Sequence, residues 1–244
     1  MDLGYVKVAA LGVVQGITEL LPISSTAHMR VVPFLLGWRD PGSAFSAAMQ
    51  MAALAAVVSY FWKDIRQIAE GSIAAVAARR WHSREFRLAL GIVIATIPIV
   101  IAGAAAAHFL NALCHAGARF NCVIAVACLV MSALLACPEI LAVHTRTISD
   151  LKLRDALIVG IAQVGALIPG VSRSGSTLTA ALCLDLKRDE AARFSFLLGR
   201  PAIALAGLKE LWTLHGAGLS PYGWSILVFG FLIASISAFF AIWA

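Results

Sequence analysis

Charge is what this chain has least of. Of 244 residues only 13% are Asp, Glu, Lys or Arg, against 61% hydrophobic, and the mean hydropathy is +0.88. A soluble domain is nearer half apolar and a quarter charged, so a soluble fold is excluded. Period-2 alternation is also absent. Apolar runs last about 20 residues, which fits helical spans and excludes barrel strands. The N-terminus lacks a basic region, short apolar core and small-residue cleavage site, so no cleavable signal peptide is expected. Five cysteines show no C-x-x-C spacing and most lie in apolar runs. They read as packing residues, with no metal or disulfide framework. No G-x-x-x-x-G-K-[ST] loop occurs. The net charge of +6 does not gather on a soluble module, so nucleic acid is not an expected partner. The basic residues read as cytoplasmic loops that fix topology.

What is present is a set of polar interruptions. The stretch Gln15-Gly-Ile-Thr-Glu19-Leu-Leu-Pro22-Ile-Ser24-Ser25-Thr26-Ala-His28 breaks an apolar segment of about 6–36. A second stretch, Pro169-Gly170-Val-Ser172-Arg173-Ser174-Gly175-Ser176-Thr177, breaks another at about 156–185. Ionisable groups and freed backbone are costly in hydrocarbon and survive where they meet partners, water or ligand. Both segments read as re-entrant pairs of half-helices. Trp38 to Gly42 reads as an interfacial turn. Full spans are expected at 43–62, 88–110, 120–143, 194–212 and 222–244, with a polar basic segment at 63–87 that holds a short interfacial helix from Ile65 to Ala78. Residues 111–119 read as an outer loop, and 144–155 as a second basic loop on the same side as 63–87.

The breaks belong to a repeat. At an offset of 148, Gly12 pairs with Gly160, Gln15 with Gln163 and Ser24 with Ser172; at 149, Arg39-Asp40 pairs with Arg188-Asp189 and Phe45-Ser46 with Phe194-Ser195. Three spans separate the copies, so the second is inverted. Their tips are then expected to meet within the membrane, where half-helix ends bind ligands. The expected fold is an all-α polytopic integral membrane protein with an inverted-topology repeat, two re-entrant broken-helix segments and about five full spans. It is read as a single membrane domain, 1–244, with repeat 1 at about 1–143 and repeat 2 at about 156–244. The second copy is expected to lack a final span.

The residues of the breaks suggest chemistry. Gln15 and Glu19 are four apart and share a helix face. Glu19 suits a divalent-cation ligand or a base, and Gln15 a neutral oxygen ligand or hydrogen-bond donor. Ser24, Ser25 and Thr26 follow Pro22, and hydroxyls with free N–H groups at a helix start suit an anion. Ser25 is a candidate nucleophile with His28 or Glu19 as proton acceptor. Arg173 offers a phosphate-binding fork, and Ser172, Ser174, Gly175, Ser176 and Thr177 add donors and close backbone approach. Together they suggest phosphoryl transfer or hydrolysis on a lipid phosphate. A Ser-rich kink that only re-satisfies backbone, a structural His28 and an Arg173–Glu19 ion pair are the bland alternatives. A lipid-phosphate transporter or flippase is the rival from another class.

At these residues the sequence resembles the undecaprenyl-diphosphate phosphatase family of the bacitracin-resistance type. That family carries (E/Q)-x-x-x-E running into L-P-x-S-S-T-G-H, and P-G-x-S-R-S-G-x-T. Phe194-Ser-Phe-Leu-Leu198 is similar to the family as well. The resemblance covers almost the whole chain. It implies a bacterial inner-membrane hydrolase with its active site facing the periplasm. Such an enzyme removes the terminal phosphate of undecaprenyl diphosphate with the help of Mg²⁺ or Ca²⁺, recycling the carrier for cell-wall synthesis. It implies Glu19 as the acidic metal or base position and Gln15 as the E/Q position. Ser25 is the proposed nucleophile position, His28 the motif histidine and Arg173 the phosphate-binding arginine. Water in place of Ser25, an inactive truncated member and a homodimer stay open. The chain departs from the family pattern at Gln15, at Ala27 in place of Gly, at Arg200 in place of an apolar residue, and in its short C-terminus.

Overall fold

The structure, a computed structural model, describes residues 4–114, 118–216 and 220–243. Among them there are only helices and short connections, with one isolated bridge between Arg146 and Leu186. Ten α-helices run in order: α1 Tyr5–Thr18, α2 Ser25–Leu35, α3 Ser43–Tyr60, α4 Trp62–Ala77, α5 Arg84–Cys114, α6 Ala118–Leu141, α7 Leu153–Val164, α8 Arg173–Cys183, α9 Arg188–Gly216 and α10 Pro221–Trp243. Four carry windows long and apolar enough to cross a membrane, at Arg84–Ala106, Asn121–Leu141, Arg188–Thr213 and Pro221–Trp243; the bent pair α3–α4 is a fifth candidate. Large apolar side chains stand exposed along them, among them Ile101, Leu129 and Phe240. That surface suits hydrocarbon, and the chain is a multi-pass α-helical membrane protein. The helices begin a few residues earlier than the apolar runs suggest. Arg84 and Arg188 sit in first turns that hydropathy alone assigns to loops. The outer loop expected at 111–119 lies partly outside the described residues, as does Ala244.

Both expected breaks are present. The first separates α1 from α2 across 19–24. The second separates α7 from α8 through a 3₁₀ turn, Gly165–Leu167, and an irregular stretch at 168–172. α2 and α8 each have 11 residues, and their N-caps, Ser24 and Ser172, stand 148 apart. The repeat seen in sequence is therefore a repeat of helix caps.

Contacts divide the chain into two compact units: residues 1–60 with 200–244, and residues 61–199. In the first, α1, α3 and α10 enclose a core of Val8, Leu11, Phe45, Met49 and Ile226, with Met29 of α2. α1 and α10 approach closely on small residues. A Cβ on Gly16 would stand 2.6 Å from the Ala234 carbonyl oxygen, and one on Gly12 3.1 Å from that of Gly230. Without a hydrophobic drive between helices in lipid, this is how they pack.

In the second unit the core holds Ala95, Val159, Ala181, Leu182, Phe194 and Leu198. α7 lies on α5 with Gly160, the mate of Gly12, tight against Ala95: a Cβ there would come within 2.4 Å of its carbonyl oxygen. Phe45 and Phe194, also repeat mates, are among the largest fully buried side chains. Each anchors the core of its own unit.

The basic loop before α7 does more than carry charge. Arg146 donates to the Leu184 carbonyl at 2.9 Å, the Asp150 carbonyl at 3.0 Å and the Asp155 carboxylate at 2.5 Å. Its backbone also bonds to Asp185 and Lys187. Burial raises the Asp155 carboxyl pKa. The Arg146 hydrogen bond, the Lys152 N–H and the charges of Arg146 and Arg154 outweigh it, and the net shift is downward. Arg146 thus ties the C-terminal end of α8 to the start of α7.

Candidate active site

One group of candidate residues lies at the α1–α2 break. α1 is held by its glycine seam against α10, which fixes where its last turn ends. Gln15 is fully buried there and Glu19 caps the helix. The chain then turns through Pro22 and reaches Ser24, which has φ +65°. A non-glycine residue in that region costs roughly 1–2 kcal/mol. Ser24 offsets part of the cost by capping α2, its hydroxyl accepting the Ala27 N–H at 3.4 Å. The positive φ therefore sits at Ser24. Ala27, where the family pattern has Gly, is an ordinary buried residue inside α2.

The strained turn aims Ser25 back at α1. The Ser25 hydroxyl donates to Glu19 Oε2 at 2.5 Å, and Gln15 Nε2 donates to the same oxygen at 2.8 Å. Of the two proton acceptors open for Ser25, the geometry supplies Glu19. The His28 Nδ1–H instead donates to the Ser24 carbonyl at 2.9 Å, which leaves Nε2 of the neutral ring as the acceptor. Thr26 is exposed on α2.

Gln15 Oε1 is buried with no partner among the described residues. A buried, unpaired amide oxygen costs about 1–3 kcal/mol and calls for an explanation. Both bonds to Glu19 end on Oε2, so Oε1 of the carboxylate is not engaged by them. An amide oxygen and a carboxylate oxygen one helical turn apart form a hard-oxygen set, the type that Mg²⁺ and Ca²⁺ accept. The residues fit such an ion. No group of three His, Cys, Asp or Glu occurs among the described residues.

Another group lies at the α7–α8 break. Gly170 has φ +96° and sits against α6; a Cβ there would stand 2.7 Å from Ile124 Cα. Cys128 Sγ also reaches the Gly170 carbonyl, at 3.5 Å. Ser172 caps α8, accepting the Gly175 N–H at 3.1 Å, and its hydroxyl pairs with that of Ser174 at 3.1 Å. Ser176 donates to the Ser172 carbonyl at 2.9 Å. Arg173 is the first residue of α8, with its stem alongside Gly199. It stands 148 residues after Ser25, the first residue of α2. A helix N-terminus capped by serine and opened by arginine suits an anion.

Thr177 faces inward. It donates to the Arg173 carbonyl at 3.0 Å and makes a short hydroxyl–hydroxyl bond with Ser195. The Ser174 carbonyl, 3.2 Å from the Ser195 hydroxyl, is an alternative acceptor for the Ser195 proton. Thr177 and Ser195 brace the first turn of α8 against α9. Ser195 was visible in the sequence only as part of a repeated Phe-Ser pair. Gln163, the mate of Gln15, is fully buried with both side-chain polar atoms unpartnered among the described residues. Its register in the repeat was the signal that could have marked it. Arg200 is buried in α9 beside Pro201. Cys122, Cys137 and Cys183 are exposed free thiols and Cys128 is part-buried. The Cys114 side chain lies outside the described residues.

Comparison with known proteins adds the following. The family model described as "Bacitracin resistance protein BacA" matches residues 8–244. A protein of Mesorhizobium japonicum named "Undecaprenyl-diphosphatase 2" is 67% identical over 229 residues, covering 94% of this chain and 86% of the relative. An "Undecaprenyl-diphosphatase" of Gloeobacter violaceus is 50% identical over 241 residues, covering 99% of this chain and 82% of the relative. Another, of Synechocystis, is 50% identical over 232 residues, covering 95% and 71%.

Proposed function

This chain belongs to the bacitracin resistance protein BacA family, and on that footing we propose that it hydrolyses undecaprenyl diphosphate to undecaprenyl phosphate and inorganic phosphate. The observation that carries the mechanism is the relay Gln15–Glu19–Ser25, in which the Ser25 hydroxyl already donates to a carboxylate. Binding and release alone require donors for phosphate. A hydroxyl aligned with a base is what cleavage requires.

Ser25 Oγ attacks the terminal phosphorus as its proton passes to Glu19 Oε2. The bond from that phosphorus to the bridging oxygen breaks, and undecaprenyl phosphate leaves. Glu19 passes that proton to the departing phosphate and then takes one from water as the water attacks the phosphoserine. The bond from phosphorus to Ser25 Oγ breaks, phosphate leaves and Glu19 returns the proton to Oγ. Gln15 Nε2 holds the Glu19 carboxylate in line throughout. His28, with Nδ1–H fixed on the Ser24 carbonyl, presents Nε2 for proton exchange. Arg173 and the N-terminus of α8 suit the charge of a phosphate group, which a guanidinium fork grips through two oxygens. A divalent cation held by Glu19 and Gln15 Oε1, when bound, would supply neutralisation of the phosphate oxygens. The reading places the enzyme in the bacterial inner membrane with the site open to the periplasm.

The test is phosphate release from undecaprenyl diphosphate by purified protein in detergent. Ser25→Ala and Arg173→Ala should each lower turnover by at least about 10²-fold, the scale of a lost nucleophile or transition-state donor. Near-wild-type turnover in Arg173→Ala would remove the phosphate assignment. The same result in Ser25→Ala would transfer the attack to water.

A further inference from the structure

A large apolar groove in the second unit has no part in the scheme above. It measures about 700 Å³ and is walled by one face of α6, with Val126, Val130 and Leu134 along it, and by residues on both sides of the α7–α8 break. Ile168 and Val171 flank Pro169-Gly170, and Ser176 belongs to the same motif. Only Ser176 and Thr179 bring hydroxyl groups to the wall; the remaining side chains are aliphatic or sulfur-bearing. From Cys122 to Leu134 the α6 face runs about 18 Å.

The placement of the groove is specific. Gly170 presses on Ile124 and Ala127, and Ser176 reaches Met131 Sδ at 3.9 Å. α6 and α8 therefore run side by side from the break onward, and the groove opens where the phosphate-binding turn begins. A lipid diphosphate gripped at Arg173 must lead its tail away over an adjoining apolar wall. A volume of this size is that of a small-molecule site. A trough about 18 Å long accommodates roughly four five-carbon units at interior packing density.

We propose that this α6–α8 groove binds the phosphate-proximal part of the substrate's isoprenoid tail and sets a preference for long-chain lipid diphosphates. The proposal rests on the phosphatase reading. It makes Val130 and Leu134 specificity-determining residues. They are half-exposed, so bulk added there fills the groove without entering the core.

The experiment compares Leu134→Trp and Leu134→Phe with wild type on undecaprenyl diphosphate and on geranyl diphosphate, whose two units span about 9 Å, short of Leu134 at about 10.5 Å along α6 from Ala127 at the break. Loss of apolar contact should raise KM for the undecaprenyl substrate roughly tenfold. kcat/KM on geranyl diphosphate should stay within about twofold, which also reports an intact fold and active site. If the groove holds bulk membrane lipid, both substrates are unaffected and the proposal is overturned. If it seats a second copy of the chain, oligomeric mass changes on size-exclusion chromatography and both substrates suffer together, which overturns it as well. Wild-type activity on both substrates with an unchanged long-to-short ratio in the variants defeats the groove and leaves the phosphatase standing. A wild-type protein that releases phosphate from neither defeats the phosphatase reading, and the groove with it.

Discussion

Replacing Gly170 by Ala adds one methyl group where the backbone has left no room for it. The new Cβ would lie 2.7 Å from Ile124 Cα, 2.8 Å from the Ile124 carbonyl oxygen and 3.0 Å from Ala127 Cβ. The first two are backbone atoms of a long helix, so no side-chain rotation relieves them. Overpacking of this kind costs about 1–3 kcal/mol. The φ of +96° adds a conformational cost of about 1–3 kcal/mol for a residue with a side chain. The sum, about 2–6 kcal/mol, corresponds to a fall in Tm of roughly 5–20 °C for a chain of this size. Because Ser172 and Arg173 follow directly, a shift of about 1 Å in the break should also cost up to about 10²-fold in phosphate release. Gly199→Ala is the control: its Cβ would meet Arg173 Cδ at 3.8 Å, an ordinary contact. Thermal unfolding in detergent and phosphate release on both variants decide the matter. A Gly170→Ala protein within about 2 °C of wild type, with normal turnover, would refute the claim that α6 clamps this break.

Two further predictions concern charge. Glu19→Gln keeps an acceptor for the Ser25 hydroxyl but removes the base, so turnover should fall about 10²–10⁴-fold with unchanged Tm. Equal turnover would assign proton removal elsewhere. Asp155 titrates lower in the folded protein than in an unfolded chain, where carboxyls titrate near about 3.9. Its stabilising contribution is present above that pH and is lost as pH falls through the folded value. Asp155→Asn should lower stability by about 2 kcal/mol at neutral pH. The gap in Tm from wild type should narrow as pH falls through and below the ordinary carboxylate range. A gap that persists there would show that Asp155 acts through packing and not through its charge.

Much of this architecture is written locally. Pro22, Pro169 and Gly170 interrupt apolar runs, and the structure breaks at each. Serine at 24 and 172 is a cap residue in sequence and a cap in fact. The trio Gly12, Gln15 and Ser24 announces its counterparts because composition elsewhere is so uniform that polar residues in register stand out. What was not legible depends on distant partners. That Ser25 bonds to Glu19 and not to His28 follows from the turn at Ser24, whose positive φ no serine advertises. Arg146 reads as a topological charge until Leu184 and Asp155 come to it across the fold. The pairing of α1 with α10, and of α7 with α5, is carried by glycines whose role shows only once the opposing helix is in place. Thr177 reads as a phosphate donor, since nothing nearby in sequence reveals that Ser195 takes its hydroxyl.

The common register of the two caps has a consequence for how such a site arises. Position one of the 11-residue helix is Ser25 in one copy and Arg173 in the other. A symmetric pair would hold two hydroxyls or two guanidiniums there. Two hydroxyls attack but do not grip, and two guanidiniums grip but do not attack. The shared address presents different chemistry: a hydroxyl bonded to the Glu19 carboxylate in one copy, a guanidinium opening a serine-capped helix in the other. The frame that presents a residue occurs twice, and what stands behind it differs as well: the position of Glu19 in the first copy is Leu167 in the second.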